Sequence, residues 1–175
     1  VRYGRLKLER RGNILSLAGE LPRRMAVDSQ GTIWLALSQG LGQWAADGQW
    51  ALYGADPLLS ADVHDVAVGE GDILWVATAK GLARRLPSGR WTRFTVESTG
   101  GGLLAMDVLA VHPAAGGVVW VATAAGISRR DAEGNWANFP LAGVERLAWG
   151  GEDTLWAASR GGLYRIRAQA LTPIP

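Results

Sequence analysis

Apolar residues in this chain fall into short runs, each bounded by turns rich in glycine, aspartate and serine. The pattern predicts strands rather than helices. Between residues 106 and 140, MDVLAVHP and VVWVATA are β-branched apolar runs parted by AAGG, and GISRRD and NWANF follow, parted by the turn AEG. The same order of runs returns around the turns DSQG and ADG near residues 23–54, and around GEGD and PSG near residues 63–96. These glycine, aspartate and serine clusters are turn formers because they tolerate left-handed backbone or bond to it locally. One run in each set is apolar on both faces: Ile33, Leu35 and Leu37 alternate with Trp34 and Ala36. A strand covered on both sides requires a stack of sheets.

The runs are copies of one unit. Aligned on a tryptophan, Trp34, Trp75, Trp120 and Trp156 sit in TIWLALSQGL, ILWVATAKGL, VVWVATAAGI and TLWAASRGGL. A glycine follows each at a fixed distance (Gly40, Gly81, Gly126, Gly162), with Leu41, Leu82, Ile127 or Leu163 next to it. Later in the first three copies comes a second tryptophan, Trp50, Trp91 or Trp136. Repeats of about 40 residues with four strands each predict an all-β fold, a β-propeller of about four four-stranded antiparallel blades. The expected layout is one domain over 1–175: a half-blade at 1–19, blades at about 23–54, 63–96 and 106–140, and a partial blade at 144–170. Gly4 and the Gly12-Asn13-Ile14 triplet fit the same frame. Ile14 to Leu17 are expected to lie beside the C-terminal strands around Trp149, Trp156 and Tyr164 and clasp the ring shut. Two alternatives stand beside closure: two chains forming a larger ring, or an arc of a longer propeller whose edges invite pairing.

Both tryptophan series are expected to fill the space between blades. A buried indole removes roughly 150 to 250 Å² from water, worth about 4 to 6 kcal/mol before entropy is subtracted. The alanine two positions after each first tryptophan (Ala36, Ala77, Ala122, Ala158) leaves room for a bulky neighbour.

The order hydrophobic, Trp, hydrophobic, small, Thr, two variable residues, Gly, hydrophobic, preceded by an Asp-x-x-Gly turn as at Asp28 to Gly31, resembles the two-component regulator propeller repeat. The resemblance covers essentially the whole chain. The usual Gly-Thr of that repeat is Ala-Thr at 77–78 and 122–123, Ala-Leu at 36–37 and Ala-Ser at 158–159. It implies a sensor part of a bacterial signalling protein with an extracytoplasmic location, of a kind often followed by a membrane segment and a kinase.

Composition narrows the chemistry. A net charge of +2 over 175 residues gives no field that calls for nucleic acid. No apolar run approaches the roughly 18 residues that span a bilayer, so no direct membrane insertion is expected. Without cysteine there is neither a disulfide framework nor thiolate chemistry, and two histidines are few for a metal site, so no metal and no cofactor are expected. DSQGT and DAEGN lack the ligand ladder of a calcium loop, and STGGGLL has no Gly-Lys-Ser/Thr to make a phosphate loop. Arg84, Arg85, Arg129 and Arg130 alternate faces along their strands, which argues against a continuous phosphate stripe.

Propeller function usually lies at one end of the central channel. Aligning first strands on Ala26, Ala67, Ala110 and Ala148 puts Arg23, His64, Asp107 and Glu145 three positions earlier in each blade. These four are the candidate ligand-binding residues, although strand-leading charges are also commonly just solvated. Three functions follow: a non-enzymatic binding or sensor module for a small polar ligand or a protein partner, a structural or docking subunit that associates through its half-blade edges, and a lyase or hydrolase built on a propeller. The first is the principal reading, because no nucleophile, base and acid stand together in sequence.

Overall fold

The computed structural model describes residues 8–11, 14–17, 21–150, 154–167 and 170–173, with 8–11, 14–17, 170–173, Glu145 and Trp149 described by backbone alone. Two N-terminal strands, β1 (Leu8–Arg11) and β2 (Ile14–Leu17), pair antiparallel in a sheet of their own. Four antiparallel sheets of four strands follow. Blade 1 holds β3 (Arg24–Val27), β4 (Ile33–Leu37), β5 (Gly40–Trp44) and β6 (Trp50–Tyr53). Blade 2 holds β7 (Val63–Val68), β8 (Leu74–Thr78), β9 (Gly81–Arg85) and β10 (Trp91–Phe94). Blade 3 holds β11 (Val108–Pro113), β12 (Val119–Thr123), β13 (Gly126–Arg130) and β14 (Trp136–Pro140). Blade 4 holds β15 (Val144–Trp149), β16 (Thr154–Ser159), β17 (Gly162–Arg167) and β18 (Ala170–Pro173). Strands run in sequence order across every sheet, and the first strands adjoin one another: β3 meets β7, β7 meets β11 and β11 meets β15. This is a four-blade propeller arrangement.

The conserved spacing of the unit has a backbone cause. Gly40, Gly81, Gly126 and Gly162 take φ of +147°, +135°, +143° and +131°, a region costly for other residues. A Cβ at Gly81 would come within 2.6 Å of the Phe94 carbonyl oxygen, and one at Gly40 would strike that of Tyr53. The threonine three positions before locks the same turn: Thr78 Oγ1 donates to the Gly81 carbonyl at 2.8 Å and Thr123 Oγ1 to that of Gly126 at 3.0 Å. In the first turn Asp28 accepts from the Thr32 N–H at 2.9 Å and from Trp34 Nε1 at 3.1 Å, fastening the strand connection to the core indole.

The core is made between blades. Trp34, Ala36 and Leu41 of blade 1 pack with Val66, Leu74 and Val76 of blade 2. Trp75, Ala77 and Leu82 of blade 2 meet Val111, Val119 and Val121 of blade 3, and Trp120, Ala122 and Ile127 meet Leu155, Ala157 and Ile166 of blade 4. The second tryptophans reach back to the preceding blade: Trp91 lies 5.7 Å from Tyr53 and Trp136 lies 6.0 Å from Phe94, ring centre to ring centre. Trp50 instead covers Gly42 within its own blade, where no Cβ would fit.

The clasp expected from the sequence is not the pairing found. Ile14–Leu17 pairs with Leu8–Arg11, and the outermost strand of blade 4 is Ala170–Pro173, which runs antiparallel to Gly162–Arg167. Adjacent antiparallel strands joined by short turns close with less loop entropy than a pairing of the two chain ends. Gly4 and Gly12 lie outside the described residues. The faces that closure of blade 1 on blade 4 would cover are exposed: Met25 by 71% and Val27 by 56% on blade 1, and Leu163 by 45% on blade 4.

Candidate functional site

The first strands converge on a cleft of 480 Å³ lined by Arg23, Arg24, His64, Asp65, Leu109, Ala110 and Arg146, drawn from all four blades. Strand register explains the convergence. Arg24, Asp65, Ala110 and Arg146 stand opposite Ala36, Ala77, Ala122 and Ala158, so they form one level of the repeat. In blades 2, 3 and 4 the register slips by one residue just before this level, and His64, Leu109 and Glu145 are the extra residues of those bulges. A bulge re-aims its side chain away from the regular alternation.

Of the four residues singled out from sequence, the structure brings three together. Arg23 donates through a terminal guanidinium nitrogen to Asp62 Oδ1 at 2.6 Å and to the Val63 carbonyl at 3.1 Å. His64 Nε2 faces Asp62 Oδ2 at 3.5 Å, and His64 Nδ1 lies 3.0 Å from the Val108 carbonyl and 3.4 Å from Asp107 Oδ1. Because a carbonyl only accepts, Nδ1 is the donor in that contact. The result is a line of groups, Arg23, Asp62, His64 and Asp107, crossing from blade 1 through blade 2 to blade 3. Asp107 is not level with His64, because Ala110 aligns with Ala122 whereas Ala67 aligns with Trp75; Leu109 holds the level instead. The side chain of Glu145 lies outside the described residues.

Electrostatics differ between the two carboxylates of blade 2. Burial pushes Asp62 up, but the hydrogen bond and charge of Arg23, joined by His64, outweigh it and hold its carboxyl below the usual value of 3.8. Asp65 is raised: its burial outweighs the backbone N–H groups of Val111 and Val66, at 3.0 and 2.9 Å, and the charges of Arg24 and Arg146. Because Val111 belongs to blade 3, Asp65 also ties two blades at the cleft floor. Arg24 Nε stands 3.8 Å from Asp65 Oδ1. Three guanidiniums against one carboxylate line the cleft itself, which gives it a positive lining. Among the described residues no group of three or more histidines, cysteines or acids is arranged to hold a metal ion.

Arg24, Asp62, Asp65 and Arg146 were missed in the sequence reading. The signal was present: Ala26, Ala67 and Ala148 precede their tryptophans by eight residues and Ala110 precedes Trp120 by ten, so alignment on the tryptophans points to His112 as the counterpart of Ala67.

No protein-family model and no curated protein matches the chain. Solved structures do. The extracellular domain of a one-component system from B. thetaiotaomicron superposes with a TM-score of 0.75 at 19% identity, over 95% of this chain and 24% of that one. The extracellular domain of a hybrid two-component system from the same organism gives 0.72 at 17% identity, over 83% of this chain and 21% of that one. The chain shares the fold of these extracellular signalling domains. The propeller architecture expected from the tryptophan-glycine repeat is thus the architecture of these structures. A streptogramin B lyase is also similar, with a TM-score of 0.69 at 15% identity over 88% of this chain and 55% of that one. The chain thus spans about a quarter or less of the two signalling domains and about half of the lyase. No helix among the described residues is long and apolar enough to cross a membrane.

Proposed function

We propose that this chain is a non-enzymatic, sensor-type binding module of an extracytoplasmic signalling protein, and that it takes a small polar ligand bearing an acidic group in the cleft between the first strands. The observation that carries this reading is the cleft itself: one register level of all four blades supplies Arg24, Asp65, Ala110 and Arg146 to a single 480 Å³ space, a size suited to a small molecule. Guanidinium forks match carboxylate and phosphate oxygens, and the Arg23–Asp62–His64–Asp107 line fixes the rim. The likeness to extracellular domains of signalling proteins supports the location and the sensor role. An acidic side chain of a partner protein satisfies the same chemistry as a free ligand.

The test is calorimetry of the parent, Arg24→Ala and Asp107→Ala against small carboxylates and phosphates. Binding weakened on the order of tenfold or more by Arg24→Ala fits the loss of a charge-assisted bond, whereas equal binding by all three proteins removes the cleft from consideration. A second reading, a propeller lyase or hydrolase, is favoured by the His64 imidazole set between two carboxylates. Turnover of esters or lactones that disappears in His64→Ala would put it in place of the first.

A further inference from the structure

A second cleft, of 400 Å³, opens between blades 2 and 3 and is lined in part by Trp75, Ile73, Pro113, Arg84 and Arg130. Alternation along β9 and β13 produces it. Arg84 faces the indole of its own blade, at 5.7 Å from the Trp75 ring, whereas Arg130, one position further along its strand, faces back to the preceding blade at 5.5 Å from the Phe94 ring. Side chains that point to opposite faces within a blade thus point toward each other across a blade junction. Arg84 is itself 5.7 Å from Phe94, so two guanidiniums share one aromatic ring.

The other two junctions lack this pair. Between blades 1 and 2 the corresponding positions hold Gln43 and Arg85, with Arg85 over Trp34, and between blades 3 and 4 they hold Arg129 and Ile166. Neither Arg84 nor Arg130 has a carboxylate within ion-pair distance among the described residues, and the Nε of each is buried without a hydrogen-bond partner. Arg130 gives one bond to a backbone carbonyl, that of Asp131, at 3.2 Å. Glu70, also in the lining, is engaged by the Gly116 N–H. Burial lowers Arg84, and repulsion from Arg130 and Arg90 adds to the effect. Aromatic faces hold the guanidiniums in place, but they supply no counter-charge. Two like charges in a half-buried cleft repel more strongly than in water, and an incoming anion relieves both at once.

We infer that this junction is a binding site for a small organic oxyanion, whose carboxylate, sulfate or phosphate is gripped by Arg84 and Arg130 while a flat apolar body lies against Trp75 and Pro113. The inference is independent of the cleft between the first strands. It makes the 2–3 junction a second ligand site on the same domain, distinct in chemistry because Ile73, Trp75 and Pro113 give it an apolar wall.

Nuclear magnetic resonance of arginine Nε–H groups in the full chain tests it, with inorganic phosphate and phenyl phosphate as probes at equal ionic strength. The expected result is that the Arg84 and Arg130 signals move together and saturate while Arg85 and Arg129 stay still, with phenyl phosphate binding more tightly than inorganic phosphate. Arg130→Gln is expected to weaken binding on the order of tenfold or more, and Arg85→Gln to leave it unchanged. Signals of Arg84 and Arg130 that stay still, or that move no more than those of Arg85 and Arg129, overturn the site. Equal affinity for the two probes overturns the apolar wall. Because the signals are read in the parent protein, the result stands even where Arg130→Gln fails to fold.

Discussion

Gly81 and Trp75 carry the repeat at the scale of single residues. Gly81 holds a φ of +135° with the Phe94 carbonyl close to where a Cβ would stand. Gly81→Ala is expected to cost about 1 to 3 kcal/mol from backbone strain alone, read by urea denaturation; a loss below about 0.5 kcal/mol, the range of an indifferent surface change, would contradict this role. Trp75 is 5% exposed and stacks on Phe94 at 5.9 Å. Trp75→Ala is expected to cost roughly 3 to 5 kcal/mol through the cavity left between blades 2 and 3, and a loss under about 1 kcal/mol in the same assay would contradict the packing. Both residues were legible in the sequence because each recurs in every copy at fixed spacing. The aromatic partners were not read, although Tyr53, Phe94 and Phe139 each follow a second tryptophan by three residues. Their role depends on which ring lies across the blade junction, and spacing along one chain does not encode that.

Between elements, Asp65 is the joint. Its two oxygens accept from Val66 in its own blade and Val111 in the next. Asp65→Ala orphans both N–H groups, and a loss of about 1 to 3 kcal/mol at neutral pH is expected from chemical denaturation. Acid titration separates the two carboxylates of this strand region. Asp62 is held low, so its contribution is present above its unfolded value of 3.8 and is lost as pH falls through the lower folded value. Asp65 is raised, so the pH-linked part of its contribution, separate from the two backbone bonds it accepts, has the opposite sign: it is present below 3.8 and is lost as pH rises through the folded value. Asp62→Asn is therefore expected to lose less stability than the parent on acidification below about pH 4, and an unchanged acid limb would contradict the Arg23 pairing. The strand order and the turns of each blade were legible from hydrophobic runs and glycines. The one-residue bulges were not, because a bulge adds a residue without altering composition, and the inward-facing level of the cleft depends on it.

At the scale of the whole molecule, the described residues build the same interface three times and leave the outer faces of blades 1 and 4 exposed. Ala36, Ala77 and Ala122 are buried under the next blade, whereas Ala158 and Leu163 of blade 4 are exposed, as are Met25 and Val27 on the opposite face of blade 1. A trailing face of blade 4 and a leading face of blade 1 are thus complementary by construction, which favours head-to-tail association of copies. Light scattering on the isolated chain is expected to show a mass that rises with concentration and falls back in Leu163→Glu; a constant monomer mass would contradict that complementarity. Fold class was legible because repetition multiplies a weak signal, while the pairing of the two chain ends was not, since apolar patterning alone does not choose between two edge partners for Ile14–Leu17. The central claim, that the cleft between the first strands binds a small acidic molecule, is tested most directly by the ring resonances of the two histidines during titration with small carboxylates and phosphates. His64 contacts Val108 at the rim, and His112 stands four residues further along β11, roughly 13 Å away at about 3.3 Å per residue. A bound ligand is expected to shift the His64 signals and leave His112 still, and Arg24→Ala to abolish the shift; binding that leaves His64 unmoved in the parent would contradict a site in this cleft.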